Sequence, residues 1–371
     1  MIKQLKRFTT QLVAGANVAT ILLMVLVGYS DRLNPAEHPI LSCVGMTFPI
    51  FLLVNLGFLL FWVLFRFRMV WIPILGYLLA YVPITIYMPL NLRTNDVPDD
   101  AVKLISYNVA IYAGNDKYGQ KGFEAVRDYL QGEHPDIVCL QEDVDTWRRY
   151  VFIHYRKQFA FNDTVHFSGE IDAKGDSCYT GVGIHTRFPI LRRERIPYQS
   201  KHNGSVAWYL DVNGDTLLVI NNHFEGTHLS LEDREKYREI IKGEMGHDTA
   251  RTESKKLLVT LAESAAKRAP EIDAVCRYVE DHRQYPTILC GDFNDNPISY
   301  SRHEMSKVLH DCFKETGRGL GLSYNQKGFF FRIDHIFCSD DITPYNCMID
   351  SKIDASDHYP MVCWLKIGGK Q

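Results

Sequence analysis

The chain has 371 residues, with 44 Asp and Glu against 41 Lys and Arg and a formal net charge of −3 at pH 7. That length fits one large domain or two ordinary ones, and the mildly acidic balance weighs against a protein that grips long nucleic acids through a basic footprint. The nine cysteines show no CxxC spacing, which excludes a zinc ligand set or a dense disulfide framework.

Taken in order, the chain opens with three stretches free of Asp, Glu, Lys and Arg: Phe8–Ser30, Pro39–Phe65 and Met69–Leu92. Each is long enough to cross a bilayer core of about 30 Å as a helix. A signal peptide for the first, or buried core helices for the others, are the competing readings. The length of the first stretch and the two that follow it favour a membrane region, residues 1–95, with three transmembrane helices at about 8–30, 39–65 and 69–92. Lys3, Lys6 and Arg7 before the first stretch, and Arg66 and Arg68 in the second turn, place the N-terminus in the cytoplasm. The expected product is a multi-pass cell-membrane protein with its large domain on the extracytoplasmic side. Cys139, Cys290, Cys338 and Cys363 sit in short apolar runs as core residues, and free buried thiols are easier to keep in a reducing compartment.

A polar, proline-containing linker over 96–100 leads to the second domain, residues 101–371. "AVKLISYNVA" predicts a strand and "KGFEAVRDYLQGE" a helix with Phe123, Val126 and Leu130 on one face. "DIVCLQE", "GVGIHTRFPI", "VAWYLDV" and "DTLLVINNHF" predict strands. From Leu231 to Asp281 the spacing turns helical, as an outer layer, a lid or a membrane-facing wall. Strands resume at "PTILCGDF", "FRIDHIFCS" and "YPMVCWLKI". The glycine-rich "GRGLGLSY" has no helix after it, so it predicts a flexible loop near the site rather than a dinucleotide site, with Tyr324 within it a packing residue ahead of a substrate contact. Mixed strands and helices imply an α/β domain.

Polar side chains recur at the ends of these strands: Asn108, Glu142, His223, Asp292 with Asn294, Asp334, and Asp357 with His358. Loops held by a rigid sheet are where catalytic groups are usually mounted. Singly, each residue has a plainer explanation, such as a strand end, a helix cap or an Asx turn. Together they are harder to explain that way.

"LISYNV", "PDIVCLQE", "GVGIHTRFPI", "NNHF", "GDFND", "RIDHIF" and "SDHYP" follow one another in an order that resembles the endonuclease/exonuclease/phosphatase superfamily. That superfamily includes pancreatic deoxyribonuclease, apurinic endonucleases, neutral sphingomyelinases and inositol-polyphosphate 5-phosphatases, and the whole chain looks like a membrane-anchored bacterial member. The resemblance implies a four-layer α/β sandwich with two packed β-sheets, here preceded by the three transmembrane helices. It also implies a divalent metal, usually Mg²⁺ with Mn²⁺ as a possible substitute. By resemblance, Glu142 is the principal metal-ligating glutamate, with Asn108 and Asp357 near the same ion. Asp292 orients or deprotonates the attacking water, and Asn294 helps to hold the phosphate. His358 stabilises or protonates the phosphoryl group, and Asp334 is hydrogen-bonded to it. His223 matches a second histidine, although its Asn-rich context departs from the commoner Thr-x-His pattern.

The chemistry asks for these residue types on its own account. Water must be added to a centre ringed by negative oxygens, so a hard cation on oxygen ligands offsets that charge. A carboxylate can take the proton of the attacking water, while an amide donates without adding repulsion. The implied function is hydrolysis of a phosphodiester, such as a lipid headgroup or similar envelope substrate. A nuclease acting on DNA or RNA, and a non-catalytic membrane sensor that keeps the fold, are the alternatives. The expected partners are a phosphate-ester substrate and the bilayer, with no protein partner. Replacing Asp292→Asn or His358→Ala is expected to lower phosphodiester turnover by roughly 10²–10⁴-fold with an unchanged circular dichroism spectrum; near-parental rates in either variant refute the assignment.

Overall fold

The computed structural model describes residues 2–112, 120–144, 159–171, 177–200, 203–326 and 331–368. Five helices precede the first strand: α1 (Ile2–Gly28), α2 (Pro39–Ser42), α3 (Phe48–Phe65), α4 (Trp71–Leu79) and α5 (Tyr81–Tyr87). Two helical segments, Lys3–Arg32 and Pro39–Phe65, are long and apolar enough to cross a membrane. The expected third helix over about 69–92 is instead a pair, Phe67–Leu79 and Tyr81–Tyr87, bent by 64°. Proline chemistry accounts for the break. Pro83 has no N–H to offer the Leu79 carbonyl four residues back, and that carbonyl accepts from the Tyr29 hydroxyl at 3.1 Å. Three spans result only if the bent pair makes one crossing. Helices α1 and α3 are pinned by a buried polar knot in which Asn17 Nδ2 and Thr20 Oγ1 donate to Asn55 Oδ1 at 3.0 and 3.1 Å. Trp62 Nε1 donates to Asn17 Oδ1 at 3.0 Å. Such bonds hold apolar helices in one register.

The second part contains β1 (Val102–Asn108), α6 (Gln120–Glu133), β2 (Ile137–Val144), β3 (Phe161–Ile171), β4 (Ser177–Thr186), β5 (Ile190–Arg195), β6 (Gly204–Val212) and β7 (Asp215–His223). It continues through α7 (Leu231–Lys242), α8 (His247–Asp281), β8 (Thr287–Asp292), α9 (Tyr300–Val308), β9 (His310–Asp311), α10 (Cys312–Thr316), β10 (Asp334–Cys338), β11 (Ile342–Ile349) and β12 (Met361–Ile367). Two six-stranded sheets form, ordered β11-β12-β1-β2-β4-β3 and β5-β6-β7-β8-β10-β9. Both mix parallel and antiparallel pairs, β1–β2 and β7–β8 being parallel.

The sheets pack face to face over a core that includes Leu104, Cys139, Ile184, Trp208, Val219, Cys290 and Ile336. The outer face of the first sheet is covered by Phe123, Val126 and Leu130 of α6, as their spacing predicts. The outer face of the second is covered by Ile272, Val275 and Val279 of α8 and Met305 of α9. The arrangement is therefore α/β/β/α. Cys139, Cys290, Cys338 and Cys363 are buried free thiols in the core between the sheets.

The apolar helices are built into this framework. Ile298, just past β8, is fully buried in a cluster with Met24, Val27, Phe48, Ala80, Ile86 and Tyr87. A side chain on Gly45 would collide with the Ile298 carbonyl, so only glycine allows that approach. Ala262 and Ala265 of α8 pack on Cys43, so α8 covers a sheet with one part and meets the N-terminal helical region with another. Arg332, 1% exposed, donates to the carbonyls of Ile86 (2.6 Å) and Leu320 (2.7 Å). Its guanidinium thus satisfies the end of α5, where free carbonyls concentrate negative potential. Replacing Arg332→Met strands those buried acceptors and is expected to destabilise the full chain by about 2–5 kcal/mol. Thermal unfolding in detergent, compared with the exposed Lys307→Ala, measures the difference; equal stability of the two refutes this anchor.

Candidate active site

Strand direction explains why distant residues meet. Parallel pairing of β1 with β2 and of β7 with β8 brings the C-terminal ends of these strands to one edge of the sandwich. The antiparallel register of β10 on β8 sets Asp334 directly across from Asp292, and the parallel register of β7 on β8 sets His223 beside Asp292. Strand β12 runs antiparallel to β1 and pairs Met361 with Ser106, so the preceding Ser356–His358 loop reaches the same edge. Ser356 Oγ donates to the Asn108 carbonyl at 2.7 Å and accepts from the His358 N–H at 3.2 Å, fixing that loop.

Two backbone departures aim the side chains. The β2–β4 register shifts between Gln141 and Asp143, and Glu142 at the bulge has φ 51°. Bulges of this kind re-aim a side chain next to a functional site. Here Gln141 turns inward to donate to Asn221 Oδ1 at 2.6 Å. Asn294, at φ 49°, follows a turn in which its N–H donates to Asp292 Oδ1 at 2.8 Å. Gly291, at φ 138°, passes so close to Asn222 that a side chain would strike the Asn222 carbonyl.

All eight residues singled out from the sequence lie among the described residues, and side-chain contacts bring seven of them to this edge. Asn108 Nδ2 donates to Glu142 Oε1 at 3.1 Å and to Asp292 Oδ2 at 3.0 Å. Its Oδ1 accepts from the Ala110 N–H at 3.0 Å, so the amide presents donors rather than a ligand oxygen to the two acids. His223 Nε2 lies 3.7 Å from Glu142 Oε1 and 3.8 Å from Asp292 Oδ2, too far for direct hydrogen bonds. His358 Nδ1 and Asp334 Oδ2 are hydrogen-bonded at 2.8 Å, and His358 Nε2 faces Asp292 Oδ2 across 3.7 Å. Asn294 gives one N–H to the Phe224 carbonyl at 3.0 Å and keeps a second donor. Asp357 reaches the same edge through electrostatics. Burial raises the Glu142 carboxyl above its usual range, His223 opposes that shift, and Asp357 adds to it.

Burial alone would pull His358 down. The carboxylates of Asp334 and Asp292 outweigh it and hold the imidazole well above its ordinary value. The side-chain atoms of Asp292, Asp334 and His358 all lie within 4.8 Å of one another, and the charged imidazole occupies the cation's place between these two acids. Asp334 Oδ1 is buried without a hydrogen-bond partner among the described residues. An orphaned acceptor beside a second carboxylate suits a cation, and the nearby Glu142 and Asp292 oxygens suit a hard one. The donor set thus fits a divalent ion.

Tyr324 packs at the site, as its loop predicts. Its ring packs edge-on against His358 with centroids 5.2 Å apart, and the Arg234 guanidinium stands over the ring at 5.7 Å from its centroid. A bridge pairs Tyr324 with His358, so the glycine-rich loop does reach the site. The supporting hydroxyls of Ser356 and Ser323, the latter accepting from the Ile333 and Asp334 amides, were missed in the sequence. The only signal for Ser356 was its place beside "DH".

Residues 105–358 match the model of the endonuclease/exonuclease/phosphatase family, and the chain belongs to that family. Its members are phosphoesterases and nucleases that depend on divalent metal. Residues 10–87 match a domain of unknown function (DUF8431). No curated protein matches the chain. Among solved structures, an endonuclease/exonuclease/phosphatase from Beutenbergia cavernae aligns with TM-score 0.53 and 16% identity over 72% of each chain. One from Bacteroides vulgatus aligns with TM-score 0.50 and 16% identity over 72% of this chain and 100% of its own. The human Nocturnin catalytic domain, solved with a bound sulfate anion, aligns with TM-score 0.52 and 13% identity over 75% of this chain and 96% of its own. At these identities the likeness is one of fold.

The raised His358 value has a consequence for stability. A group whose native pKa is raised contributes stability that is fully present below its unfolded value, about 6.5, and is lost as pH rises through the native value. In EDTA, the melting temperature is expected to fall across that alkaline window, and His358→Gln to remove this part of the decline. Parallel curves for the two proteins refute the effect.

Proposed function

We propose that the chain is a membrane-anchored, divalent-metal-dependent phosphodiesterase acting on a lipid headgroup or similar phosphodiester of the cell envelope. Mg²⁺ is the proposed ion, with Mn²⁺ as a substitute. One observation carries this reading: the Asp292 carboxylate lies between the His358–Asp334 pair and Glu142, to which Asn108 ties it. That is a base flanked by a charged donor on one side and a cation-binding carboxylate on the other.

In this reading Glu142 and Asp357 hold the ion, and Asn108 keeps Glu142 and Asp292 in register. When bound, a divalent cation there neutralises charge on the phosphoryl oxygens. Asp292 accepts the proton of an attacking water through Oδ2, the oxygen not engaged by the Asn294 N–H. His358, its Nδ1 proton fixed on Asp334, turns Nε2 toward the phosphoryl group, where a protonated imidazole offsets developing charge. His223 and the second donor of Asn294 complete the cradle. Residues 1–95 form the anchor, 96–100 the linker and 101–371 the catalytic domain, with the N-terminus cytoplasmic and the site extracytoplasmic. The mildly acidic chain favours a lipid or small diester over DNA or RNA.

Because the apolar helices pack on the domain, the test uses the full chain in detergent. It is assayed with Mg²⁺, Mn²⁺ or EDTA against bis-p-nitrophenyl phosphate, sphingomyelin-type lipids, phosphoinositides, plasmid DNA and RNA. Turnover of a lipid or of the small diester that EDTA abolishes is the expected result. Turnover confined to nucleic acid replaces this reading with a nuclease, and none with any metal leaves the sensor.

A further inference from the structure

Arg93 is the first charged residue after the uncharged run Met69–Leu92. It therefore lies where the chain leaves the proposed membrane segment, at the level of lipid headgroups. This exit segment is fixed to the soluble domain. The Pro89 carbonyl accepts from the Gly319 N–H at 2.8 Å, and Leu90 forms a β-bridge with Arg318. Asn91 Nδ2 donates to the carbonyls of Lys314 and Gly317 at 2.9 and 3.0 Å. Thr94 and Asn346 exchange two hydrogen bonds, at 3.0 and 2.8 Å.

Beside the exit segment, a cavity of about 380 Å³ opens between α10 and β11, in the size range of small-ligand sites. Its polar wall includes Arg93, Arg318, Thr316, Asn346, Ser351 and Tyr359, and among the described residues no Asp or Glu lines it. Arg93 Nη2 reaches Met348 Sδ at 3.2 Å, and neither arginine forms an ion pair among the described residues. The neighbouring segments expose Leu90 (71%), Leu92 (85%) and Leu320 (41%), side chains that belong among acyl chains rather than in water.

We propose that this cavity binds the headgroup of an anionic phospholipid, with Arg93 and Arg318 on the phosphate and Leu90, Leu92 and Leu320 along the acyl chains. The guanidinium groups offer several donors in a geometry matched to phosphate oxygens. The site is distinct from the catalytic edge, although Tyr359, next to His358 in the chain, forms part of its wall. The inference rests on the membrane placement proposed above, and its readout needs no turnover.

The full chain in uncharged detergent with EDTA is titrated by calorimetry with dihexanoyl phosphatidylglycerol, dihexanoyl phosphatidylcholine or inorganic phosphate. Wild type is expected to prefer the glycerol lipid. Each of Arg93→Gln and Arg318→Gln is expected to weaken it roughly fivefold, and both together about thirtyfold, from about 1 kcal/mol per basic residue. Arg283→Gln, an exposed change elsewhere, is expected to leave binding unaltered. Equal affinity in wild type and the double variant overturns the site, as does equal binding of the choline lipid. Inorganic phosphate binding as tightly as the glycerol lipid assigns the cavity to a soluble anion and overturns the lipid. A chain that stays dissolved without detergent removes the membrane placement and the lipid site together. Loss of enzymatic turnover alone bears only on the catalytic reading.

Discussion

Glu142, Asp292, Asp334 and Asp357 converge on one edge of the sandwich, three of them linked by direct contacts and the fourth by its effect on Glu142. Like charges this close repel strongly in a partly dry environment, and much of the local architecture offsets that repulsion. Asn108 places an N–H2 group between Glu142 and Asp292. His358 takes on positive character between Asp292 and Asp334, and His223 stands near Glu142 and Asp292. The arrangement still holds more acid than base. A deficit of that kind is a standing attraction for a cation and, once the cation is in place, for a phosphate ester.

The same edge depends on the apolar helices. Asp292 and Asn294 lead into Ile298, which is buried among residues of α1, α3 and α5. Asp334 follows Arg332, whose guanidinium closes the end of α5. The segments that carry Asp292, Asn294 and Asp334 are thus seated on the N-terminal helices. These helices serve as part of the scaffold of this edge. The bend at Ala80 contributes, since it lets α5 turn its end toward Arg332 rather than continue along α4.

How much was legible follows a pattern in the sheets. The eight strands evident from apolar runs are β1, β2, β4, β6, β7, β8, β10 and β12, and all are interior in their sheets. The four that escaped notice, β3, β5, β9 and β11, are the edges. Edge strands carry charge and proline because an apolar edge invites aggregation. Thus β5 reads "ILRRER" and β11 includes Pro344, and neither shows the pattern of a covered strand. In "CGDFNDNP", Asp292 meets both explanations at once: Oδ1 makes the Asx turn and Oδ2 faces the site. Asp295 and Asn296 do turn chemistry, as their composition suggests, and Asp295 also takes an ion pair from Arg268 at 2.9 Å.

By itself the sequence determined the family, the apolar N-terminal region, the interior strands and the roster of polar residues at their ends. Those features are local: hydrophobic period, turn chemistry and short ordered motifs survive in a linear reading. Only the tertiary structure decided which oxygen of Asp292 faces inward, that Asn108 turns donors rather than its oxygen toward the acids, and that Tyr324 walls His358. It also decided that the third apolar stretch breaks and docks. Each of these depends on contacts between residues far apart in the chain, such as Tyr29 with Leu79 or Arg332 with Ile86, whose geometry no local pattern encodes.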